Sequence, residues 1–396
     1  MKETLTKEQL DKIKREKLAT IRRAFKLIDK ANGKANSAYL LQDKSFEQPP
    51  SFSTGSLMLD IATGIGGIGL GRVIESYGKP SSGKTMLMLK SIANAQKAGY
   101  ICAFIDQEQT FDPTWAQKLG VQLDELILSQ PDSMEEAFRV IDGLIDSEVV
   151  SFIVLDSVAA LVPEAELEDD ISKQNIALIA RGMSKFLRRI TPKCARNNCT
   201  VAFINQTRDN VGIMYGNPVT TGGGQALKFY SSMRFEVSTV SGSTVKEKLG
   251  TQDVPIGHRV RVKIVKNKMA PPFRTAEFMV YYDGRNMDPS DEIADIVVSQ
   301  GLIPKYNAKG EIDPKGRTYK YSFEDEELKV SKMDDIKEAL KQCPKIQQHF
   351  IDMIKNGDIA PAQLSEKENI DNDDEEKDSM FDEGAEEIVS QEWDGI

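Results

Sequence analysis

The sequence predicts an α/β core on a mostly parallel sheet with an antiparallel extension, and three observations carry the prediction. Between residues 72 and 204, short apolar runs alternate with segments of helical period. Apolar runs separated by helices belong to a parallel sheet covered on both faces. A glycine-rich turn at residues 78–83 lies between the first such run and the helix after it. Past Gly222-Gly223-Gly224 the apolar runs succeed one another without long helices, the pattern of antiparallel strands.

The elements justify themselves in chain order. Thr6-Lys7-Glu8-Gln9 has capping-box spacing, and Leu10, Ile13, Leu18, Ile21, Phe25 and Ile28 recur at helical intervals until Asn32-Gly33 stops them. This amphipathic helix either packs on its own domain or docks as an arm on a neighbouring subunit. The run Gly64-Ile65-Gly66-Gly67-Ile68-Gly69 has no acidic residue ending a following strand and reads as a turn rather than a dinucleotide site. Residues 72–77 form a strand, 86–98 a helix and 100–105 a second strand. Ser133-Met134-Glu135-Glu136 caps another helix, 151–155 is a buried strand, 173–196 is helical and 200–204 is again a strand. The extension places strands at 232–238, 260–265 and 276–282. A helix near 292–300 and a helical stretch over 334–354 belong to a small separate domain, and the acidic run beyond Pro361 is expected to be disordered.

A chain of 396 residues with 40% hydrophobic and 28% charged residues has material for a large core plus appendages. Its net charge of -10 argues at face value against a partner as acidic as nucleic acid. Location reverses that inference. Residues 366–396 hold 14 acidic and 2 basic groups, the remaining 365 residues hold 47 acidic and 49 basic, and residues 1–34 alone carry 11 basic against 5 acidic. No apolar stretch reaches the ~18 residues a membrane span needs, and Met1-Lys2-Glu3-Thr4 opens no signal-peptide pattern, so a cytoplasmic protein with no membrane partner is expected. Four cysteines in so long a chain suggest reduced thiols. Cys194 and Cys199 read as buried thiols rather than zinc ligands, since neither His258 nor His349 is near them in sequence.

The strongest chemical signal is Gly78-Lys79-Pro80-Ser81-Ser82-Gly83-Lys84-Thr85, a complete GxxxxGK[ST] P-loop. Backbone N–H groups of such a loop converge on phosphate oxygens, and the following helix N-terminus adds positive potential. Lys84 reaches the β and γ phosphates, and the Thr85 hydroxyl can ligate Mg²⁺. Asp156, at the tip of the strand Ile153-Val154-Leu155-Asp156, supplies the acidic group that steadies the metal. Glu108, just beyond the strand that ends at Asp106, is the best-placed carboxylate to polarise water; alone, it reads equally well as a surface turn residue.

With these groups the chain resembles the RecA recombinase family over about 300 positions. Ser53-Thr54-Gly55-Ser56-Leu57, Cys102-Ala103-Phe104-Ile105-Asp106, Asp156-Ser157-Val158-Ala159-Ala160-Leu161, Phe203-Ile204-Asn205-Gln206, Gly216-Asn217-Pro218, Ala226-Leu227-Lys228-Phe229-Tyr230 and Val265-Lys266-Asn267-Lys268 carry the likeness, in one order. The resemblance implies a RecA-type P-loop ATPase core over residues 51–287, an N-terminal helix and polymerisation arm over 1–50, a small α+β C-terminal domain over 288–360 that gates duplex DNA, and a disordered acidic tail over 361–396. It implies an ATP- and Mg²⁺-dependent DNA recombinase that forms helical filaments on single-stranded DNA, pairs it with homologous double-stranded DNA and exchanges strands, with single-strand-binding and mediator proteins as further partners. A ring-forming hexameric helicase and a DNA-coating mediator that does not hydrolyse ATP are the alternatives.

The resemblance also implies roles. Glu108 matches the catalytic glutamate, and Gln206 the glutamine that senses the γ-phosphate. Asp112 and Trp115 fall where the family holds adenine, Trp115 in place of the more usual tyrosine. Lys266 and Lys268 match lysines that reach the ATP of the neighbouring protomer. The DNA loops match residues 169–176 and 207–221, with Ile176, Arg208, Val211, Gly212, Met214, Gly222 and Gly223 facing DNA, while Arg181, Ser184 and Arg188 match phosphate contacts. Gly78-Lys79-Pro80 departs from the usual Gly-Pro-Glu, the first loop lacks its usual glycines, and Asp209 and Asn210 stand at positions that are commonly apolar and basic. The acidic tail is expected either to compete with duplex DNA for basic surface until Mg²⁺ or salt screens it, or to serve solubility alone.

Overall fold

The computed structural model describes residues 6–33, 35, 37–40, 50–168, 176–209, 219–249, 252–283, 289–332 and 335–356. The chain divides into two compact units, residues 1–51 and 52–396. In the first unit, α1 (Lys7–Asn32) begins at the capping box: the Gln9 N–H donates to Thr6 Oγ1 (3.3 Å) and the Thr6 N–H to Gln9 Oε1 (2.9 Å). Gly33 closes the helix in the left-handed conformation (φ 61°), where its N–H reaches the Asp29 and Lys30 carbonyls. No α1 residue is buried, and Leu10, Ile13, Ile21 and Ile28 of its apolar stripe lie exposed. The unit ends at Ser51, the first residue of the two-residue strand β1 (Ser51–Phe52).

In the second unit α2 (Leu57–Thr63) ends at Gly64, and the glycine run that follows turns into the short strand β2 (Ile68–Gly69). A ten-stranded sheet then organises the chain. Its strands are β3 (Val73–Gly78), β4 (Ile101–Asp106), β5 (Leu126–Ser129), β6 (Val150–Asp156), β7 (Thr200–Asp209), β8 (Val219–Thr221), β9 (Met233–Thr239), β10 (Val245–Leu249), β11 (Gln252–Asn267) and β12 (Thr275–Tyr281). The order is β10-β11-β9-β3-β7-β6-β4-β5, with β12 paired to β11 and β8 to β7. From β9 to β5 all neighbours run parallel, and β10, β11 and β12 form the antiparallel extension.

Period-two alternation explains how this sheet is covered. Ile74, Cys102, Phe104, Phe152, Val154, Ala202 and Ile204 join one buried cluster, together with residues of α2 and of α3 (Lys84–Lys97). Their chain neighbours Val73, Ala103, Ile105, Ile153, Leu155, Val201 and Phe203 join the other, under α5 (Met134–Asp146) and α7 (Ile176–Asn197). α4 (Pro113–Lys118) and α6 (Glu164–Glu168) are short connectors. Cys194 and Cys199 are buried free thiols, and burial pushes both upward, Cys194 to about 12. Among the described residues no cluster of metal-ligating side chains occurs and no helix is long and apolar enough to cross a membrane.

The helix expected over 173–196 is described over Ile176–Asn197 and continues through Pro192, residues 173–175 lying outside the described residues. The C-terminal elements differ from the sequence reading. The helical stretch over 334–354 is two helices, α10 (Ile336–Gln342) and α11 (Pro344–Asn356), because a residue before proline avoids the helical region; Cys343 sits at φ -121°, ψ 74°. A three-stranded sheet, β13 (Lys305–Tyr306), β14 (Thr318–Phe323) and β15 (Glu326–Val330), precedes them. The acidic run beyond residue 361 lies outside the described residues.

α9 (Pro289–Ser299) joins this C-terminal region to α2 through a buried carboxyl group. Glu292 Oε2 accepts from Ser56 Oγ (3.0 Å) and the Met58 N–H (2.6 Å), capping α2 from another part of the chain. Burial pushes Glu292 up to about 8, against the opposing pull of those two donors. A carboxyl raised in the folded state keeps its proton where the unfolded chain has lost it. Its stabilising contribution is therefore complete below about 4.5 and declines as pH rises toward 8. Glu292→Gln keeps an oxygen for both donors and has nothing to ionise. Denaturant titrations at pH 5 to 9 should show the variant gaining on the parent as pH rises, with a ceiling of about 1.4 kcal/mol per pH unit; parallel curves would mean that Glu292 is already ionised.

Candidate functional site

Four adjacent parallel strands, β3, β7, β6 and β4, end at the same edge of the sheet. Register sets the ends of β3, β4 and β6 beside Gln206 of β7: Gly78 lies opposite Gln206, and Asp106 opposite Asp156. The carboxyl edge of a parallel sheet is where α/β folds bind ligands, because loops and helix N-termini converge there. Here the edge carries the P-loop, Glu108, Asp156 and Gln206.

The P-loop leaves β3 at Gly78, where a Cβ atom would stand 2.0 Å from the Val237 carbonyl oxygen of β9, so only glycine fits. Ser81 (φ 58°) and Gly83 (φ 93°) then turn the chain left-handed into α3. Lys84 is buried and donates to the carbonyls of Lys79 (2.6 Å) and Gly78 (3.1 Å). Burial lowers its pKa, and Asp156 and Glu108 oppose that shift. Thr85 Oγ1 donates to Asp156 Oδ2 (2.7 Å). Burial raises Asp156 to about 6, the Thr85 hydrogen bond pulls it down, and the charges of Glu108 and Asp106 push it further up. The adjacent oxygens of Thr85 and Asp156 suit Mg²⁺, which takes one or two protein oxygens and fills its shell from phosphates and water.

Glu108 is positioned from two directions. The Gln107 and Glu108 N–H groups both donate to the Asp156 carbonyl (2.7 and 3.2 Å), tying the end of β4 to that of β6. Glu108 Oε1 accepts from Ser157 Oγ (2.5 Å) and from Gln206 Nε2 (3.2 Å). A carboxylate held by two donors beside a P-loop can orient a water molecule and take its proton. Asp106 accepts from the Phe111 N–H and Gln130 Nε2, both at 2.9 Å, and so fixes the turn that carries Glu108.

Other residues singled out by sequence lie further off. Asp112 is the N-cap of α4, its Oδ1 accepting from the Thr114 and Trp115 N–H groups, and Trp115 packs half-buried against the main apolar cluster. Lys266 lies at the end of β11, two strands from β3, and Lys268 just past it; neither joins the P-loop cluster. Lys266 Nζ donates to the Lys228 (2.5 Å) and Phe229 (3.0 Å) carbonyls at the end of α8 (Ala226–Tyr230), and Lys268 is exposed.

The expected DNA-facing segments spring from the same edge. β7 runs on past Gln206 and pairs with β8, Thr207 opposite Thr221 and Arg208 opposite Thr220, so the second loop is rooted in a β-ribbon. Val211, Gly212 and Met214 lie outside the described residues, as do residues 169–175 of the first loop. Ile176 is the first residue of α7, on which Arg181 and Arg188 are exposed and Ser184 half-buried, at spacings that share one face. Gly222 and Gly223 follow β8. At Gly223 (φ 78°) a Cβ atom would meet Val158 Cγ1 at 2.7 Å, so its smallness serves packing inside the fold.

Sequence reading missed Ser157, Asn205, Glu75 and Arg234, which hold the named groups in place. Ser157 and Asn205 adjoin residues already singled out. Glu75 did leave a signal: a carboxylate inside the apolar run Val73-Ile74-Glu75-Ser76-Tyr77.

A parallel sheet with a P-loop, a strand-end aspartate against the P-loop threonine, and a glutamate against a glutamine of a neighbouring strand defines a P-loop nucleotide-binding core. The family described as the RecA N-terminal domain matches residues 19–286. Protein RecA of Methylobacterium sp. (strain 4-46) is 47% identical over 294 residues, 74% of this chain and 79% of that protein. Protein RecA of Leptospira biflexa is 44% identical over 328 residues, 82% and 83% of the two chains. A crystal structure of the RadB recombinase aligns with 59% of this chain and 97% of its own, at 23% identity and a TM-score of 0.44. The chain belongs to the RecA family.

Proposed function

We propose that the protein is a DNA-dependent ATPase that assembles on single-stranded DNA and exchanges it with a homologous duplex. The observation that carries this reading is Gln206. Its side chain holds Glu108 at the P-loop, while its own strand continues directly into the root of the second loop. One residue thus touches the hydrolytic carboxylate and begins the segment assigned to DNA.

In this reading the P-loop N–H groups and Lys84 hold the phosphates of ATP, and Thr85 and Asp156 hold Mg²⁺, which supplies positive charge to the phosphate oxygens. Glu108 accepts a proton from the attacking water at Oε1 or Oε2, with Ser157 and Gln206 fixing its orientation. Gln206 senses whether the γ-phosphate is present, so ATP favours the DNA-holding arrangement and hydrolysis releases it. Lys266 and Lys268, outside the P-loop cluster of their own chain, are assigned to the ATP of a neighbouring copy in a filament. Asp112 and Trp115 are assigned to adenine, and Arg181, Ser184, Arg188, Arg208 and the two loops to DNA.

Homologous pairing with and without ATP, read beside electron microscopy on single-stranded DNA, tests the reading. ATP-dependent joint molecules and helical filaments are expected. Directional unwinding by closed rings would replace the reading with the helicase, and coating without phosphate release would replace it with the mediator.

A further inference from the structure

The Gln206 link begins further back, at a buried ionic junction that none of the assigned roles uses. Glu75 sits in the middle of β3 with no exposed surface. Glu75 Oε2 accepts from Arg234 Nε on β9 (2.5 Å), and Glu75 Oε1 accepts from Asn205 Nδ2 on β7 (3.0 Å). The same Asn205 Nδ2 donates to the carbonyl of Gly222, where the second loop returns to the core (3.0 Å). Asn205 Oδ1 accepts the backbone N–H of Gln206 (2.9 Å). Arg234 in turn lies over the Tyr77 ring, 4.5 Å from its centroid.

The geometry points to Glu75 as a positioning residue that couples the nucleotide site to the root of the second loop, acting through the Asn205 amide. This deepens the proposed function and rests on it. Asn205 presents one oxygen and one NH₂ group, and each is engaged: the oxygen by Gln206, the NH₂ by Glu75 and Gly222. An amide that binds both ends of the second loop's frame can turn only if all three bonds are exchanged together. Glu75 determines its orientation, because a buried carboxylate accepts from the NH₂ edge and cannot donate to the oxygen edge. The Arg234 guanidinium pairs with that carboxylate, and charge-assisted bonds are the strong ones. A shift of Gln206 toward or away from a γ-phosphate is thereby transmitted through one side chain to the Gly222 carbonyl. The contiguous hydrogen bonds from Gln206 through Asn205 to Gly222 are a physical route for such coupling.

The test measures coupling rather than activity. Affinity for a fluorescent oligo-dT is compared with and without a non-hydrolysable ATP analogue, in the full chain, Glu75→Gln and Asn205→Ala. The parent should bind DNA more tightly with the analogue. Each variant should lose about fivefold or more of that enhancement, the lower bound of a typical coupling between sites, with analogue affinity, measured without DNA, held within about threefold. Asn205→Ala leaves the Glu75–Arg234 pair intact and decides the matter if Glu75→Gln fails to fold. Full enhancement in the folded variants overturns the coupling role while leaving the proposed function standing. A parent whose DNA affinity ignores the analogue overturns both.

Discussion

Replacing Glu108 by glutamine should lower DNA-stimulated ATP turnover by about 10²–10⁴-fold, the usual contribution of a positioned general base. The substitution is nearly isosteric, and its amide oxygen can still accept from Ser157 Oγ and Gln206 Nε2, the two donors that hold Glu108 Oε1. The ability to accept a proton is what disappears. Turnover should therefore fall without a matching rise in KM, because the phosphate-binding groups at residues 78–85 are untouched. Bound nucleotide would persist unhydrolysed, so complexes with single-stranded DNA should outlast those of the parent. Phosphate release and DNA dissociation, followed in the same samples, separate the two effects. Turnover within tenfold of the parent would assign the base to another group.

This prediction was partly legible in the sequence, and the limits of legibility have physical causes. Glu108 was reachable because strand patterns locate strand ends, and the carboxyl ends of parallel strands are where ligands bind. The choice between water-activating carboxylate and plain turn residue was not reachable from spacing, because its two donors, Ser157 just past β6 and Gln206 in β7, lie 49 and 98 residues away. The Glu75 junction was harder still: its cationic partner lies 159 residues on, and no local period records such a pairing. The central strands were plain, since each is buried on both faces and reads as an apolar run. β10 was invisible for the opposite reason. Val245-Lys246-Glu247-Lys248-Leu249 pairs through its backbone with β11, and Val245 to Lys248 are all exposed, so burial does not shape their composition. Asp112 marks a third limit, since an N-cap and an adenine contact ask for the same residue type, and the structure displays the cap.

Lys84→Ala should affect the nucleotide site more broadly than Glu108→Gln, because the ammonium serves three purposes there. A charge-assisted hydrogen bond of about 1.5–3 kcal/mol lost from the phosphates corresponds to about 10- to 150-fold in ATP affinity. Removal of a positive group aimed at charge that develops in the transition state costs roughly another 10²–10³ in turnover. The third effect is indirect. Lys84 is the cation that counters the push of Glu108 and Asp106 on Asp156, which already stands at about 6. Without it Asp156 moves higher, becomes a poorer Mg²⁺ ligand near neutral pH, and the Mg²⁺ concentration needed for nucleotide binding should rise. Lys84→Met separates charge from packing, since it refills the space of the buried lysine stem. If the ammonium is responsible, both variants should lose ATP binding and ATP-dependent strand exchange alike, whereas a Lys84→Met protein that keeps exchange at the parent level would show that the P-loop backbone alone suffices.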